Sequence, residues 1–183
     1  MEGEEKKKCE FMVNRSMQVV VDHHDNYSYL CLPYLSENFK FVIEMANDSV
    51  LEDTHPKRII EIANCKKEET YEVFLPKFKG FSSCDVDEVL KKMGVKKLFT
   101  ANKDFSKITD HQMCLSEIVH NAVIQVDEEG VEVSLFTFAT VEGDISSGVT
   151  TPQFVVNRPF YFHIVETKED LILVSGYVGM PEF

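Results

Sequence analysis

Apolar residues in the first third of the chain gather in short runs rich in Val, Tyr and Phe: Met17 to Val21, Tyr27 to Leu32 and Phe39 to Met45. Such β-branched and aromatic runs predict consecutive strands, with Pro33 and the polar Ser36-Glu37-Asn38 as turn between the last two. Asp53 to Pro56 predicts the opening of a short helix, because Pro suits a first helical turn and Ile59, Ile60 and Ala63 can share a buried face. Tyr71 to Phe78 predicts another strand. At Asp85 the period changes: Asp85 as cap, Glu88 completing a capping box and Gly94 as a left-handed exit predict a second helix. Val86, Val89, Leu90 and Met93 would form its core-facing side.

Leu115 to Val126 is again strand-like. A long segment follows, Asp127 to Pro152, in which Val131, Val133, Leu135, Thr137 and Ala139 alternate with Glu132, Ser134, Phe136 and Phe138. Val155 to Val165 and Leu171 to Val178 flank the charged Glu166-Thr167-Lys168-Glu169-Asp170, which predicts a terminal hairpin. Many strands with a few short helices and no regular βαβ alternation predict an α+β fold. A chain of 183 residues with 44% hydrophobic content supports one sizeable core, here residues 10–183 behind a polar tail at 1–9. No internal repeat or low-complexity block is visible.

Charge narrows the range of partners. The net charge is −12, with Lys spread among Asp and Glu, so no basic face for nucleic-acid phosphates is expected. Lys6 to Lys8 sit beside Glu4 and Glu5 and read as a solvated tail. No stretch nears the ~20 apolar residues that cross a bilayer, so no membrane partner is expected. The first residues carry no apolar signal core, which predicts a cytoplasmic chain as written, with export only through a longer parent chain. Three Asn-x-Ser triplets, at Asn14, Asn26 and Asn47, would accept glycans in such an exported parent.

Candidate chemistry is sparse. Five cysteines (Cys9, Cys31, Cys65, Cys84, Cys114) with no C-x-x-C pair predict reduced structural thiols and no metal. His23 and His24 would point to opposite faces of a strand and could not chelate one ion, and His120 reads as a structural histidine. G-x-S-x-G is absent, and Gly143 and Gly148 stand alone rather than in a phosphate cradle. The expectation is a protein that is not an enzyme, with no catalytic residue, metal or cofactor.

One stretch is far more specific. Phe154-Val155-Val156-Asn157-Arg158-Pro159-Phe160-Tyr161-Phe162-His163-Ile164 satisfies the C-terminal pattern of the serpins at every position. Supporting pieces occur in that family's order: Leu32-Pro33-Tyr34, Leu75-Pro76-Lys77-Phe78, Met93-Gly94-Val95, Asp104-Phe105-Ser106, Ile118-Val119-His120-Asn121-Ala122, Val126-Asp127-Glu128-Glu129-Gly130, and Gly176-Tyr177-Val178 before Pro181. From Glu10 onward the chain resembles the C-terminal half of a serpin. In physical terms Asn157-Arg158-Pro159-Phe160 is a turn entering an apolar strand, where Pro fixes the entry angle and Phe160 begins the burial.

The resemblance implies mostly antiparallel mixed sheets with a few short helices. It implies that Ser116 to Val126 leads into an exposed reactive-centre loop at about 127–152, the bait for a serine or cysteine protease. In inhibitory serpins the cut loop carries the acylated protease away by entering the central sheet, itself a standing example of strand addition and stored strain. Val131, Val133, Leu135 and Thr137 would then face inward, with Glu132, Ser134 and Phe136 outward. After the hinge Glu128-Glu129-Gly130, inhibitory members carry small residues. Here Val131, Val133, Ser134, Leu135 and Phe136 are mostly bulky and should slow entry, which favours a substrate-like or non-inhibitory member. Counting from Gly130 places the scissile bond at Asp144-Ile145; counting back from Pro159 places it at Gly148-Val149. The absent half of the family's fold would hold the strand flanking the insertion gap, leaving edges through which the chain is expected to self-associate or bind a partner.

Overall fold

The computed structural model describes residues 10–24, 26–47, 54–100, 105, 107–127 and 151–180. Its elements are β1 (Phe11–His24), β2 (Tyr27–Pro33), β3 (Phe39–Ala46), α1 (Pro56–Ala63), β4 (Glu69–Pro76), β5 (Phe78–Asp85), α2 (Asp87–Lys92), β6 (Val119–Val126), β7 (Gln153–Val155), β8 (Phe160–Glu166) and β9 (Leu171–Val178), with a 3-10 turn at Lys97–Phe99. Seven strands form one sheet in the order β7-β4-β1-β2-β3-β8-β9, and β5 pairs with β6 in a second. The chain divides into two compact units, residues 1–79 with 125–183, and residues 80–124.

In the larger unit β1 serves two ladders. It pairs with β4 from Phe11 to Val19 and with β2 from Val20 to His24, with a bulge between Asn14 and Met17. The extra residue of a bulge raises the local twist. The apolar runs of β2 and β3 do not alternate with polar residues because their sheet is covered on both faces. On one face Val20, Tyr29, Cys31, Val42 and Val165 pack beneath Ile59, Ile62 and Ala63 of α1. On the other, Leu30, Ile43 and Phe162 stand in cross-strand register, and Phe78 lies 5.5 Å from both Phe160 and Phe162. Each fully buried side chain of this size contributes about 1.5–3 kcal/mol.

Gly176 stands opposite Phe162, and a Cβ there would fall 2.4 Å from the ring's Cζ. Only a glycine lets that ring lie across β9.

Several expected boundaries move. Helix α1 has Pro56 at its start as expected, but its buried face is Ile59, Ile62 and Ala63, with Ile60 only half-buried. The strand expected over Tyr71 to Phe78 begins at Glu69 and ends at Pro76; Lys77, whose N–H still donates to Glu10 O at 2.9 Å, separates it from β5. Helix α2 begins at Asp87 rather than at an Asp85 cap, because Asp85 ends β5; Val86 occupies the cap and supplies no side-chain bond. Its apolar side is not packed on a core. No described residue between Gly80 and Ile124 is buried, so Val89 and Met93 are exposed. Gly94 does exit left-handed, at φ 94°. The run from Leu115 becomes regular only at Val119, and the apolar stretch after Val155 is interrupted before Phe160. The hairpin forms as expected, its turn held by Glu166 accepting from the Lys168 and Glu169 amides. Among the described residues no helix is long and apolar enough to cross a membrane.

Candidate functional site

The candidate site is the segment between β6 and β7, and the structure describes its two anchors. The leading anchor is β6, which among the described residues pairs only with β5. From Val119 to Gln125 no side chain is buried, and Val123 is 78% exposed. Val126 is the first residue to enter a core. Exposed β-branched residues along a strand mark one built to be covered by neighbours. Asp127, the last described residue before the candidate segment, accepts a hydrogen bond from the Gln125 side chain.

The trailing anchor is tighter. β7 lies parallel to β4, with Phe154 opposite Val73, and the ladder is closed by Glu72 N–H donating to Pro152 O and Val156 N–H to Phe74 O, both 2.9 Å. Phe154 and Val156 are buried, and Phe154 stacks on His23 at 6.3 Å. Arg158 then turns back, its Nη1 donating to the carbonyls of Ala46 and Asn47 at the end of β3. Phe160 follows, fully buried against Phe78. Asn157-Arg158-Pro159-Phe160 is thus a clamp: the guanidinium satisfies two strand-end carbonyls while the aromatic ring seals the core behind it.

Of the residues expected to matter, only these four are described. Glu128, Glu129, Gly130, Val131, Glu132, Val133, Ser134, Leu135 and Phe136 of the hinge, and both candidate cleavage positions, Asp144-Ile145 and Gly148-Val149, lie outside the described residues.

A polar cluster escaped the sequence reading altogether. Glu44, in the middle of β3, is fully buried; Tyr29 Oη donates to it at 3.0 Å, His55 Nδ1 lies at 2.6 Å, and His163 Nε2 at 3.6 Å. Burial alone would raise its pKa, but His163, His55 and Tyr29 outweigh that and hold the carboxyl below the usual range. Burial, then the Glu44 carboxylate, pushes the Tyr29 phenol up. The available signal was a single acid inside Phe39 to Ala46 and a single histidine inside Phe160 to Glu166. Burial also pushes the Cys31 thiol up to about 12, keeping it unreactive, and Cys31, Cys65, Cys84 and Cys114 are free. Among the described residues no three His, Cys, Asp or Glu are grouped to hold a metal.

The profile of one family, serpin (serine protease inhibitor), matches residues 1–181. The chain belongs to the serpin family. It is 32% identical to neuroserpin of Rattus norvegicus over 165 residues, 85% of this chain and 39% of that one. Human Serpin B4 is 29% identical over 158 residues, 82% of this chain and 40% of the relative. Among solved structures, a serpin from the trematode Schistosoma haematobium shares the fold with a TM-score of 0.76 at 21% identity, over 95% of this chain and 47% of that one. The native thermophilic serpin tengpin superposes with a TM-score of 0.69 at 25% identity, over 95% and 46%. The chain therefore spans less than half the length of these relatives.

Proposed function

We propose that the chain offers residues 127–152 as bait to a serine or cysteine protease and is cut there as a substrate, without trapping the enzyme. The observation that carries this reading is the isolation of β6. Insertion of a cut loop needs a strand on either side, and among the described residues β6 has β5 alone. Each ladder hydrogen bond is worth about 0.5–1.5 kcal/mol, so a loop with no second neighbour forgoes much of the driving force. The bulky Val133, Leu135 and Phe136 add steric resistance in the same direction. No catalytic role is assigned to the anchors, and no nucleic acid, membrane, metal or cofactor enters the scheme.

The test is incubation with a panel of serine and cysteine proteases, read by SDS gel and intact mass. One cut at Asp144-Ile145 or Gly148-Val149, with no SDS-resistant complex, is expected. A covalent complex would restore the inhibitory reading, and uniform cleavage elsewhere would remove the bait. A second reading is favoured by the apolar surface of residues 80–124, where Phe81, Val89, Met93, Ile108 and Val123 are exposed. In it the chain is a non-inhibitory remnant that presents its loop or strand edges to a partner, or to a second copy. Concentration-dependent association without preferred loop cleavage distinguishes it.

A further inference from the structure

The buried acid at the centre of β3 has a consequence at the surface. Glu44 as a carboxylate can only accept hydrogen bonds, so a histidine nitrogen that faces it is favoured as the one that carries the proton; the first is His55 Nδ1, 2.6 Å from Oε1. The second is His163 Nε2, which lies 3.6 Å from Glu44 Oε2, an ion-pair distance rather than a hydrogen bond, and has no hydrogen-bond partner. A neutral imidazole bears one N–H, so His163 Nδ1 is then the bare nitrogen, and it lies 2.8 Å from Ser175 Oγ. In that tautomer Ser175 is the donor.

The pair is fixed by the register of β8 and β9, in which His163 stands directly opposite Ser175. His163 is 1% exposed and Glu44 fully buried, whereas Ser175 is exposed. Exposed hydroxyl, buried imidazole and buried carboxylate in series are the order of groups that makes a serine nucleophilic. Two residues along, on the same face, the rings of Tyr161 and Tyr177 lie 5.2 Å apart and form an aromatic platform beside the hydroxyl.

We propose that Ser175 is an activated nucleophile, with His163 as its base and Glu44 as the positioning residue, and that it accepts small aryl esters. Ser175 Oγ attacks the ester carbonyl carbon as its proton passes to His163 Nδ1. The adduct expels the aryloxide, which leaves with that proton as the phenol. The acyl group stays on Ser175 until water attacks it, giving a proton to the same nitrogen; the adduct then breaks its bond to Ser175 Oγ, which takes that proton back as the free acid departs.

The test uses the whole chain with two probes, p-nitrophenyl acetate and an alkyl fluorophosphonate, mapped by peptide mass. Ser82 and Ser83, exposed on β5, are internal controls. Ser175 is expected to label at least about tenfold faster than either, a small part of the 10²–10⁴ that general-base catalysis can supply. Ser175→Ala, an exposed change, should abolish both label and ester turnover. The positioning role is read from the 15N shifts of His163, expected to show a proton on Nε2. Glu44→Gln should move part of that population to Nδ1 and slow labelling several-fold. Labelling of Ser175 no faster than of Ser82 and Ser83, turnover that survives Ser175→Ala, or a wild-type His163 protonated on Nδ1 overturns the proposal. Should Glu44→Gln fail to fold, the wild-type shifts and the Ser175→Ala comparison still decide it.

Discussion

Gly176→Ala adds one methyl group and tests the packing of the larger unit at its tightest point. The new Cβ would sit 2.4 Å from Phe162 Cζ and 2.5 Å from Cε1. Phe162 cannot swing aside: it is 5% exposed, stacks on Phe41 at 5.9 Å and meets Phe78 at 5.5 Å. Relief must come from off-rotamer rings or a shift of β9, which costs about 1–3 kcal/mol. Glycine's own backbone cost, about 0.5–1 kcal/mol relative to alanine in a strand, works in the opposite direction and is smaller. For a chain of this size the net loss of about 0–2.5 kcal/mol lowers Tm by up to roughly 10 °C. The assay is urea unfolding of Gly176→Ala, of Phe162→Leu, which removes the clashing ring atoms, and of the double variant. The coupling between the two should be about 1–3 kcal/mol, with Gly176→Ala nearly neutral in the Leu background. Equal costs in both backgrounds would refute the steric account.

The Glu44 cluster predicts the pH dependence of stability. Its carboxyl is held below the usual range in the folded chain, so its contribution is complete above the unfolded value of about 4.3 and is lost as pH falls through the lower folded value. Urea midpoints from pH 7 to 3 should fall in that window, and Glu44→Gln should cost about 1–3 kcal/mol at pH 7 while flattening the profile. Arg158→Ala removes the clamp on the Ala46 and Asn47 carbonyls and should cost about 0.5–1.5 kcal/mol. Hydrogen exchange is expected to quicken in β7 and at Val156, while α1 keeps its protection.

How much of this could be read from residues alone follows from where the controlling contacts lie. β2 and β3 were legible because a sheet buried on both faces imposes continuous apolar runs, visible in Tyr27 to Leu32 and Phe39 to Met45. The trailing anchor was legible because Arg158, Pro159 and Phe160 are consecutive, so its chemistry is local. The exposed side of α2 was not: spacing shows which side of a helix is apolar, never whether anything covers it. Ile62 displaced Ile60 in α1 because the three-residue step from Ile59 is the one that faces Val20 and Val42. Glu44, His163 and Ser175 meet only through the register of three strands, and each looks like an isolated polar residue until β3, β8 and β9 are side by side.

The double duty of β1 has a mechanical consequence. Tension applied to the chain ahead of Pro152 would reach β7, a three-residue strip whose bonds to β4 break one after another. That peeling would halt at the Arg158 side chain, where the load spreads into the end of β3, and any residual strain on β4 would pass through β1 toward β2. The bulge between Asn14 and Met17 is the compliant joint on that path. Force applied ahead of β7 would therefore detach a short tab while the body of the sheet keeps its register.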